Sequence, residues 1–580
     1  MGNPLLLFYA RPAQRRRQSG RRQQVCVPTH APSTDAIFLA LRRMRTPLMV
    51  LIGILSVSVF GLSFIPGVDE QGHPYRMSVF DAFYFMSYTA MTIGFGEVPH
   101  PFTTAQRMWV TASIYGTVIG WAYAIGALLA LTQDQAFQEA LAMQRFRRKV
   151  NAIRESFYIV VGYGQAGRKV CRELDEAGRR AVVIDTRRER IERVAGDEHY
   201  ADTPALDADA SVPGVLGLAG LGHPRLEGVL ALTDDDTVNL AVVIAGDLLR
   251  PEVPVIARCS SQMIEERMHD FAPAAVINPS DRFGGYLMLA LQRPTTYRLV
   301  SWLMASTGSA LPAKPEHLQR GRWVVCADGA FGHEVQSDFH AAGMQCDLVG
   351  PDVGHPDLHG VAGFIAGTDN DTLNLALAEH ARRADADIFV AVRQQTETNE
   401  TLVKALGVDS VFTPTDLVAT EALARVITPT FWSFVEHALV QDDEWSAQLF
   451  ERMRRSCGNF TPERRLITIR RSEAPALTRW LRTRPLTLGE LCTDPADRSQ
   501  QLDVVVLVLT RDGTPTFVPG PDTELQRGDE LLLAGRSTAL DDLEQVLAYD
   551  SLLDYVATGN EVPTSWFWRL LTRRHLTSRR

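Results

Sequence analysis

The sequence reads Thr92-Ile93-Gly94-Phe95-Gly96-Glu97 between two apolar segments. A dehydrated cation needs rings of backbone carbonyls in place of its water shell. A chain whose carbonyls all point towards one axis must alternate between ordinary and left-handed backbone angles, and glycine adopts the left-handed angles without steric cost. The stretch is therefore compatible with an ion filter, although Gly-aromatic-Gly alone also occurs in ordinary loops.

The two flanking segments are long and almost free of charge. Residues 48–65 and 108–131 are each long enough, at 1.5 Å per helical residue, to cross a hydrocarbon layer of about 30 Å. A pair of buried core helices is the alternative, which the lack of a polar face on either segment disfavours. We therefore predict membrane helices over 47–65 and 108–131.

Basic residues are distributed unevenly around these segments. Arginines at 42, 43 and 45 precede the first, and four basic residues in 145–149 follow the second. The part between them carries only Arg76 and Arg107. The positive-inside rule then predicts a multi-pass protein of the cell membrane, with both termini cytoplasmic and residues 66–107 outside.

The outer part contains a short apolar helix signal. Ser78-Val79-Phe80-Asp81 resembles a capping box, and the apolar residues that follow, up to Met91, are too few to span a membrane. A helix over 78–91 that dips into the membrane fits this pattern if protein surrounds it. The negative end of its dipole would favour a cation beside Thr92, and Glu97 would attract cations at the outer mouth.

The order of these elements resembles the two-transmembrane potassium channels. Their T-x-x-T-x-G-[YF]-G-[DE] signature matches Thr89-Ala90-Met91-Thr92-Ile93-Gly94-Phe95-Gly96-Glu97. The resemblance implies that residues 92–96 form a filter for K⁺, the permeant ion, and that four subunits in a homotetramer form one pore. Phe95 stands where tyrosine is commoner in the family, and Glu97 where aspartate is commoner.

Glycines interrupt the second membrane segment at Gly116, Gly120 and Gly126. Gly116 lies at the family's usual distance from the filter for a gating hinge, and we assign Gly116 and Gly120 to that role. Close helix packing through small residues is an equally good explanation.

The soluble part begins with a dinucleotide-binding pattern. A predicted strand over 157–161 leads into Gly162-Tyr163-Gly164-Gln165-Ala166-Gly167, and a second predicted strand, 181–184, ends at Asp185. Glycines let backbone N–H groups approach a pyrophosphate, and the acid can accept hydrogen bonds from ribose hydroxyls. Asp185 would repel a 2′-phosphate, which favours NAD(H) or an adenine nucleotide over NADP, although Arg187 and Arg188 weaken this argument. A Rossmann fold with an empty site is the alternative.

The soluble part is also internally repeated. Residues 228–240 match residues 363–375, and 278–281 match 413–416 at the same offset. The second copy starts with a predicted strand over 323–326, but Ala327 replaces the first glycine and Gly350 stands at the position of Asp185. We therefore predict that the second copy has lost nucleotide binding and serves in assembly, unless the nearby Asp352 substitutes.

Residues 519–535 resemble the P-x-x-x-x-[IL]-x-x-G-D-x-L-x-[VL]-x-G pattern of regulator-of-potassium-conductance (RCK) modules. The resemblance implies eight such domains in a ring below the tetrameric pore, whose shape changes with ligand. It places Gly162, Gly164 and Gly167 at phosphates, Asp185 at the ribose, and Asp202 and Thr203 near the adenine. Arg258 either reaches a phosphate or pairs with a neighbouring acid. The full predicted nucleotide site comprises Gly162, Tyr163, Gly164, Gln165, Gly167, Asp185, Thr186, Asp202, Thr203, Thr233 and Arg258.

The predicted fold class is a helical two-helix pore domain with a re-entrant loop, then two α/β Rossmann-like RCK domains with C-terminal α+β subdomains. The predicted boundaries are a disordered basic arm over 1–35, the pore domain 36–135 with filter 92–96, a linker helix 136–155, a first RCK domain 156–315 with its Rossmann part 157–290, and a second RCK domain 320–580 with a Rossmann-like part 321–425 and a subdomain 465–545.

Several function classes are disfavoured. A net charge of -9 argues against a nucleic-acid partner, and seven scattered cysteines argue for reduced thiols. A membrane-tethered NAD-dependent oxidoreductase would need a catalytic His, Lys or Tyr beside the nicotinamide, and no such constellation is visible, so we predict no enzyme. Calcium bound at Asp234, Asp235 and Asp236 is an alternative ligand. The alternative to nucleotide gating is an RCK ring that is gated by such an ion or that is purely structural.

Overall fold

The computed structural model describes residues 26–28, 36–98, 100–197, 202–312, 317–353, 356–395 and 399–559. Along the chain these residues form a group of long helices with a two-stranded antiparallel sheet, then two parallel sheets with helices on both faces, and finally a four-stranded antiparallel sheet. This is the predicted order of a helical pore part followed by two Rossmann-like units.

The first part consists of two long helices that pack against each other, with a short helix between them. Residues Met44–Phe64 and Thr104–Thr132 are long and apolar enough to cross a membrane. The Trp109 ring lies on Gly61, where an added Cβ would come within 2.0 Å of it, and Trp109 Nε1 donates to the carbonyl of Ser58 at 3.0 Å. The elements are α1 Ala36–Phe64, β1 Gly67–Val68, β2 Pro74–Tyr75, α2 Val79–Ala90 and α3 Thr104–Thr132.

A linker helix, α4 Gln135–Asn151, connects the long helices to the soluble part. It starts at Asp134, whose side chain accepts from the Phe137 N–H at 3.1 Å and so separates α4 from α3. Phe146 and Val150 of α4 are buried in the core of the first Rossmann-like unit. The linker is therefore anchored in that unit rather than lying free.

The first unit has six parallel strands in the order β5-β4-β3-β6-β7-β8, which is the doubly wound order of dinucleotide-binding folds. Its strands β3 and β4 coincide with the two predicted strands to within one residue at each end. The elements are β3 Phe157–Val161, α5 Gln165–Glu176, β4 Arg180–Asp185, α6 Arg188–Gly196, β5 Ala205–Asp207, α7 Pro213–Leu218, β6 Leu226–Ala231, α8 Asp236–Leu249, β7 Val255–Arg258, α9 Gln262–His269, β8 Ala275–Ile277, α10 Pro279–Gln292 and α11 Pro294–Met304.

The second unit has five parallel strands in the order β10-β9-β11-β12-β13. Within its described residues, no strand corresponds to β5, which agrees with the shorter sequence before the repeat. A 3₁₀ turn at Pro351–Val353 follows its second strand. The other elements are β9 Arg322–Cys326, α12 Gly329–Ala341, β10 Cys346–Val349, β11 Val361–Ala366, α13 Asp371–Ala384, β12 Phe389–Arg393, α14 Glu400–Leu406, β13 Ser410–Phe412, α15 Pro414–Ile427 and α16 Pro429–Val440.

The two units exchange one helix each. Helix α10 of the first unit buries Phe283 and Leu287 in the core beside α12 of the second. Helix α15 of the second buries Val418 and Ala422 in the core beside α5 of the first. Because each helix completes the other unit's core, the two units form one pseudo-symmetric body.

One antiparallel sheet follows the second unit, in the order β14-β17-β15-β16. The sequence predicts subdomains of this type in the plural, but the part of the chain described here holds this single one. The elements are α17 Asp443–Cys457, β14 Glu463–Thr468, α18 Pro475–Trp480, α19 Leu488–Leu491, β15 Val504–Arg511, β16 Thr514–Phe517, β17 Glu530–Gly535, α20 Ser537–Ala548 and α21 Asp550–Thr558.

Residues 26–28, which the sequence assigns to a disordered arm, instead pack on the first Rossmann-like unit. Val27 lies against its core, and the Pro28 carbonyl covers Gly217 of α7 so closely that an added Cβ would come within 1.9 Å of the oxygen. We call these three residues the N-terminal strap. The rest of the predicted arm lies outside the described residues.

Candidate ion filter and nucleotide site

The backbone of the predicted filter alternates in handedness. Thr92, Gly94 and Gly96 have φ of 59°, 66° and 75°, whereas Ile93 and Phe95 have ordinary negative φ. A positive φ is strained for a β-branched residue such as Thr92, and strain of this kind is concentrated at functional sites. This alternation is the geometry that carbonyls facing a common axis require.

Aromatic residues of α2 hold the stretch in place. The Tyr88 carbonyl accepts from the Ile93 N–H at 2.9 Å, and the Tyr88 hydroxyl donates to the Glu97 carbonyl at 2.6 Å. The Tyr84 hydroxyl donates to Glu97 Oε2 at 3.1 Å. The sequence analysis did not assign a role to these tyrosines, although two tyrosines four residues apart on a short helix share one face and could have been recognised.

The start of α2 differs in detail from the predicted capping box. The Asp81 N–H donates to Ser78 Oγ at 3.1 Å, as expected for the N-cap. However, the Asp81 carboxylate accepts from the Ser78 hydroxyl at 2.7 Å. In a capping box it would accept from the Ser78 backbone N–H.

The glycines assigned to a hinge lie within the continuous helix α3. At Gly120 an added Cβ would come within 3.0 Å of Ile54 and 3.3 Å of Leu51, so that position has a close contact with α1. At Gly116 the nearest atom would be 3.5 Å away, which is an ordinary contact. Close packing is therefore the better explanation for Gly120, while Gly116 stays a predicted hinge.

The glycine loop after β3 has the tight geometry of a phosphate-binding turn. Gly162 has a φ of +96°, and a Cβ added there would lie 3.0 Å from the backbone nitrogen of Thr233. An added Cβ at Gly167 would come within 1.9 Å of the Gly162 carbonyl oxygen. At Gly164 it would approach only the Arg190 guanidinium, at 3.7 Å, which leaves this side of the loop accessible to a ligand.

Asp185 lies at the end of β4 and is only 6% exposed. Its Oδ2 accepts from the Tyr163 N–H at 2.7 Å and from Arg190 Nη1 at 3.1 Å, and its Oδ1 accepts from the Arg187 N–H at 2.8 Å. Among the described residues Oδ1 has no second donor, so a lone pair remains for a ribose hydroxyl. The carboxylate is thus oriented by the glycine loop before any ligand binds.

Arg190 was missed by the sequence analysis, which considered Arg187 and Arg188 instead. It lies in the first turn of α6, where its side chain reaches both Asp185 and Gly164. An arginine five residues after the acid, one turn into the next helix, is the signal that could have identified it.

The remaining predicted contacts divide into two groups. Thr233 borders the glycine loop, and its Oγ1 donates to Asn239 Oδ1 at 2.8 Å. Gln165 and Thr186, like Tyr163, directly adjoin that loop or Asp185 in sequence. Asp202, which precedes Thr203, instead pairs with Lys149 of the linker helix, with 2.8 Å between Nζ and Oδ2.

The acidic cluster at the start of α8 is engaged in protein contacts. Asp234 pairs with Arg258, Asp235 caps α8 through the Thr237 N–H at 2.8 Å, and Asp236 accepts from the Ser261 N–H at 2.9 Å. In the described part of the chain no group of three or more His, Cys, Asp or Glu side chains could hold a metal ion. The geometry therefore gives no support to the calcium alternative.

The corresponding loop of the second unit is filled by protein. The Phe331 ring lies so close to Gly367 that an added Cβ there would come within 2.3 Å of it. The Arg393 guanidinium lies 4.9 Å from the centre of the same ring. Because Gly350 has no carboxylate, this unit lacks the equivalent of the Asp185 contact.

Two family models match the chain. Residues 48–134 match the ion channel family, and residues 158–279 match the TrkA-N domain. A protein of Methanothermus fervidus is 25% identical over 248 residues, which are 42% of this chain and 38% of the relative. Potassium channel protein 1 of Methanocaldococcus jannaschii is 22% identical over 179 residues, which are 31% of this chain and 52% of the relative. The chain thus spans about half or less of the length of these curated relatives.

Among solved structures, the GsuK channel bound to NAD is 14% identical, with coverage of 89% of this chain and 100% of that chain and a TM-score of 0.39. The two family matches place an ion channel segment and a TrkA-N domain in this chain, in that order. The predicted resemblance to two-transmembrane potassium channels with RCK domains is confirmed by the family matches and the M. jannaschii relative.

Proposed function

We propose that the protein is one subunit of a homotetrameric potassium channel whose opening is controlled by NAD(H) or an adenine nucleotide. The observation that carries the proposal is the alternating handedness of Thr92, Gly94 and Gly96 within the segment that matches the ion channel family. Carbonyls in this arrangement replace the hydration shell of a potassium ion when four chains surround one axis.

The exposed filter residues of a single chain support the proposed tetramer. Ile93 and Phe95 are 57% and 64% exposed in the single chain, and in the proposed pore they would lie at membrane depth next to polar backbone. Non-helical backbone at that depth must be enclosed by protein or line a water-filled cavity. Three further copies around the filter would enclose it, and eight Rossmann-like units would then form the ring below.

In the membrane, we place the filter near the outer face and both ends of the pore domain in the cytoplasm. The arginines before α1 and the basic residues of α4 support this orientation. The Rossmann-like units then meet cytosolic nucleotides directly.

The first Rossmann-like unit is the proposed nucleotide site. Gly164 leaves room for a pyrophosphate, and Asp185 retains a lone pair for a ribose hydroxyl. Arg190 is held by Asp185, so it does not offer a free charge to a 2′-phosphate. These contacts favour NAD(H), ADP or ATP over NADP.

The linker helix α4 provides the proposed coupling. Its C-terminal half is buried in the nucleotide-binding unit, while its N-terminus follows α3 after the break at Asp134. A ligand shifts gating only as far as its affinity differs between the open and closed arrangements. A displacement of the first unit would therefore be transmitted by α4 to the C-terminal end of α3.

Potassium flux through reconstituted protein tests the proposal. Vesicles containing the full chain should pass K⁺ but not Na⁺, and NAD or ADP on the cytosolic side should change the flux, whereas calcium should not. Asp185→Ala should pass K⁺ without responding to nucleotide. A nucleotide response that survives this change excludes the proposed site, and a lack of K⁺ flux under every condition excludes the channel.

A further inference from the structure

A cavity of about 410 Å³ lies between the two Rossmann-like units, apart from the glycine loop. Its walls come from α10, α11, β13 and α15, together with Trp432 of α16. Aromatic rings, hydroxyl groups and carboxylates all contribute to its lining. They include Tyr297, Ser301, Trp432, Asp409, Asp416 and Glu421.

The repeat supplies an internal comparison for this cavity. A second cleft, of about 450 Å³, occupies the pseudo-equivalent place in the other half, where Trp432 and Glu436 correspond to Tyr297 and Ser301. There Trp432 Nε1 donates to Glu436 Oε1 at 2.9 Å, and Arg425 pairs with the same carboxylate at 3.1 Å. The polar groups of the second cleft thus satisfy one another.

The first cavity lacks this internal satisfaction. Tyr297 and Ser301 are partly buried, and their hydroxyls make no hydrogen bond to any residue that the structure describes. Polar groups inside proteins are normally paired with protein or with water. These hydroxyls therefore remain available to a bound molecule.

The charge of the lining selects the molecule. Three carboxylates, on Asp409, Asp416 and Glu421, border the cavity, and none of its described lining residues is a lysine or an arginine. Their counterions, such as Arg382 on Asp409 and Lys169 on Asp416, lie outside the lining. An anion would meet acids without a basic donor, whereas an ammonium group would meet carboxylates and aromatic faces.

We propose that this cavity binds a small amphipathic organic cation, an ammonium group attached to an apolar body. Its volume is within the range of small-molecule sites, and its walls are mainly apolar and aromatic with a few polar groups, as such sites require. The site is separate from the predicted nucleotide site, because its lining includes neither the glycine loop nor Asp185.

Three probes of similar shape test the charge preference on the full chain in detergent: 2-phenylethylammonium, 2-phenylethanol and phenylacetate. Binding is followed by calorimetry and by the fluorescence of Trp432, with a Trp432→Phe variant to identify its signal. We expect the cation to bind about fivefold or more tighter than the alcohol, which is the factor that one cation–π contact supplies. Equal binding of phenylacetate, or no cation binding at about 1 mM, overturns the proposal.

Matched variants locate the binding. Ser301→Phe fills the first cavity and should abolish cation binding, whereas Ser433→Phe places the same side chain in the second cleft and should preserve it. Tyr297→Leu removes one ring without adding volume, so it should weaken the binding of the cation more than the binding of the alcohol. This second variant keeps the test valid if Ser301→Phe fails to fold. Retained binding in Ser301→Phe, or loss in Ser433→Phe alone, overturns the assignment.

Discussion

Lys169 and Asp416 form an ion pair of 2.8 Å where α5 meets α15. The repeat places Glu334 and Asp281 at the equivalent positions where α12 meets α10, so the same contact in the other half brings two acids together. Asp338, one turn further along α12, has a buried Oδ2 with no hydrogen-bond partner in the described structure. Burial, with Asp281 and Glu334 nearby, raises the pKa of Asp338 to about 8.

This asymmetry predicts that the α10–α12 contact weakens as pH rises. The pKa of Asp338 is raised from an ordinary value of 3.8 to about 8, so the folded state binds this proton more tightly than the unfolded state. Its contribution is then complete below about pH 4 and is lost progressively up to about pH 8. Asp281, whose pKa burial raises to about 6, acts in the same direction, although Arg282 opposes it.

Asp338→Asn should remove much of that loss. Between pH 6 and pH 8, the melting temperature of the unaltered protein should fall by a few degrees more than that of the variant. For units of this size, a loss of 1 kcal/mol lowers the melting temperature by about 2–4 °C. The charged groups that act on Asp338 are Asp281 from α10 and Glu334 from α12. Arg282, Glu265 and Glu421 in turn act on Asp281. Parallel pH curves for the two proteins would exclude Asp338 as the titrating group.

Glu421 should be among the most costly charges to remove. Its side chain is 3% exposed and accepts from Arg282 Nε at 3.0 Å and from Arg425 Nη2 at 2.9 Å. Glu421→Gln leaves Arg282 paired with Asp281 and Arg425 paired with Glu436, so we expect the free energy of unfolding to fall by about 3 kcal/mol, the lower end for a broken buried pair.

Denaturant unfolding of the purified full chain measures that loss. Glu379→Gln is the control, since Glu379 pairs with Arg383 on an exposed helix surface and such pairs contribute under about 1 kcal/mol. A similarly small effect at both positions would mean that the packing of α10 and α15 does not depend on the ion pairs of Glu421 with Arg282 and Arg425.

Nucleotide affinity should depend on Asp185 and not on the acid of the second unit. Asp185→Ala removes the acceptor for the ribose and for the Tyr163 N–H, so NAD should bind about tenfold or more weakly in calorimetry. Asp352→Ala is the matched control and should bind NAD normally. If Asp352→Ala were the weaker binder, the second unit would hold the nucleotide.

Potassium flux should require a glycine at position 96. Its φ of +75° strains any residue with a Cβ, so Gly96→Ala should abolish flux through vesicles while unfolding of the soluble part is unchanged. Gly126→Ala is the control, because an added Cβ there meets no heavy atom within 4 Å. Normal potassium selectivity in Gly96→Ala would argue against a carbonyl filter.

The sequence predicts the parts of this fold that depend on local patterns. Strands β3 and β9 lie where continuous apolar runs occur, because both faces of a parallel sheet are buried. The sequence does not show that α10 packs in the core of the second unit and α15 in the core of the first. Each helix has an apolar face that would fit either core. Arg190 was missed for a similar reason, because only the folded turn brings it back to Asp185.

The N-terminal strap can be detached with one substitution. Gly217→Val would drive a side chain into the Pro28 carbonyl, whereas Gly196→Val meets no atom within 4 Å. Cys26 is exposed and the other six cysteines are buried, so a spin label on Cys26 reports the strap. We expect the label to become mobile in Gly217→Val and to be unchanged in Gly196→Val. Equal mobility in both would mean that the strap is not seated on α7.

The strap and the linker helix end on the same body. Residues 26–28 precede α1 and contact α7, while α4 leaves α3 and enters the same core. The chain therefore contacts the first Rossmann-like unit both before α1 and after α3. In the proposed channel, a rotation of that unit would therefore act on the chain both before α1 and after α3, whereas a connection through α4 alone would act only on α3.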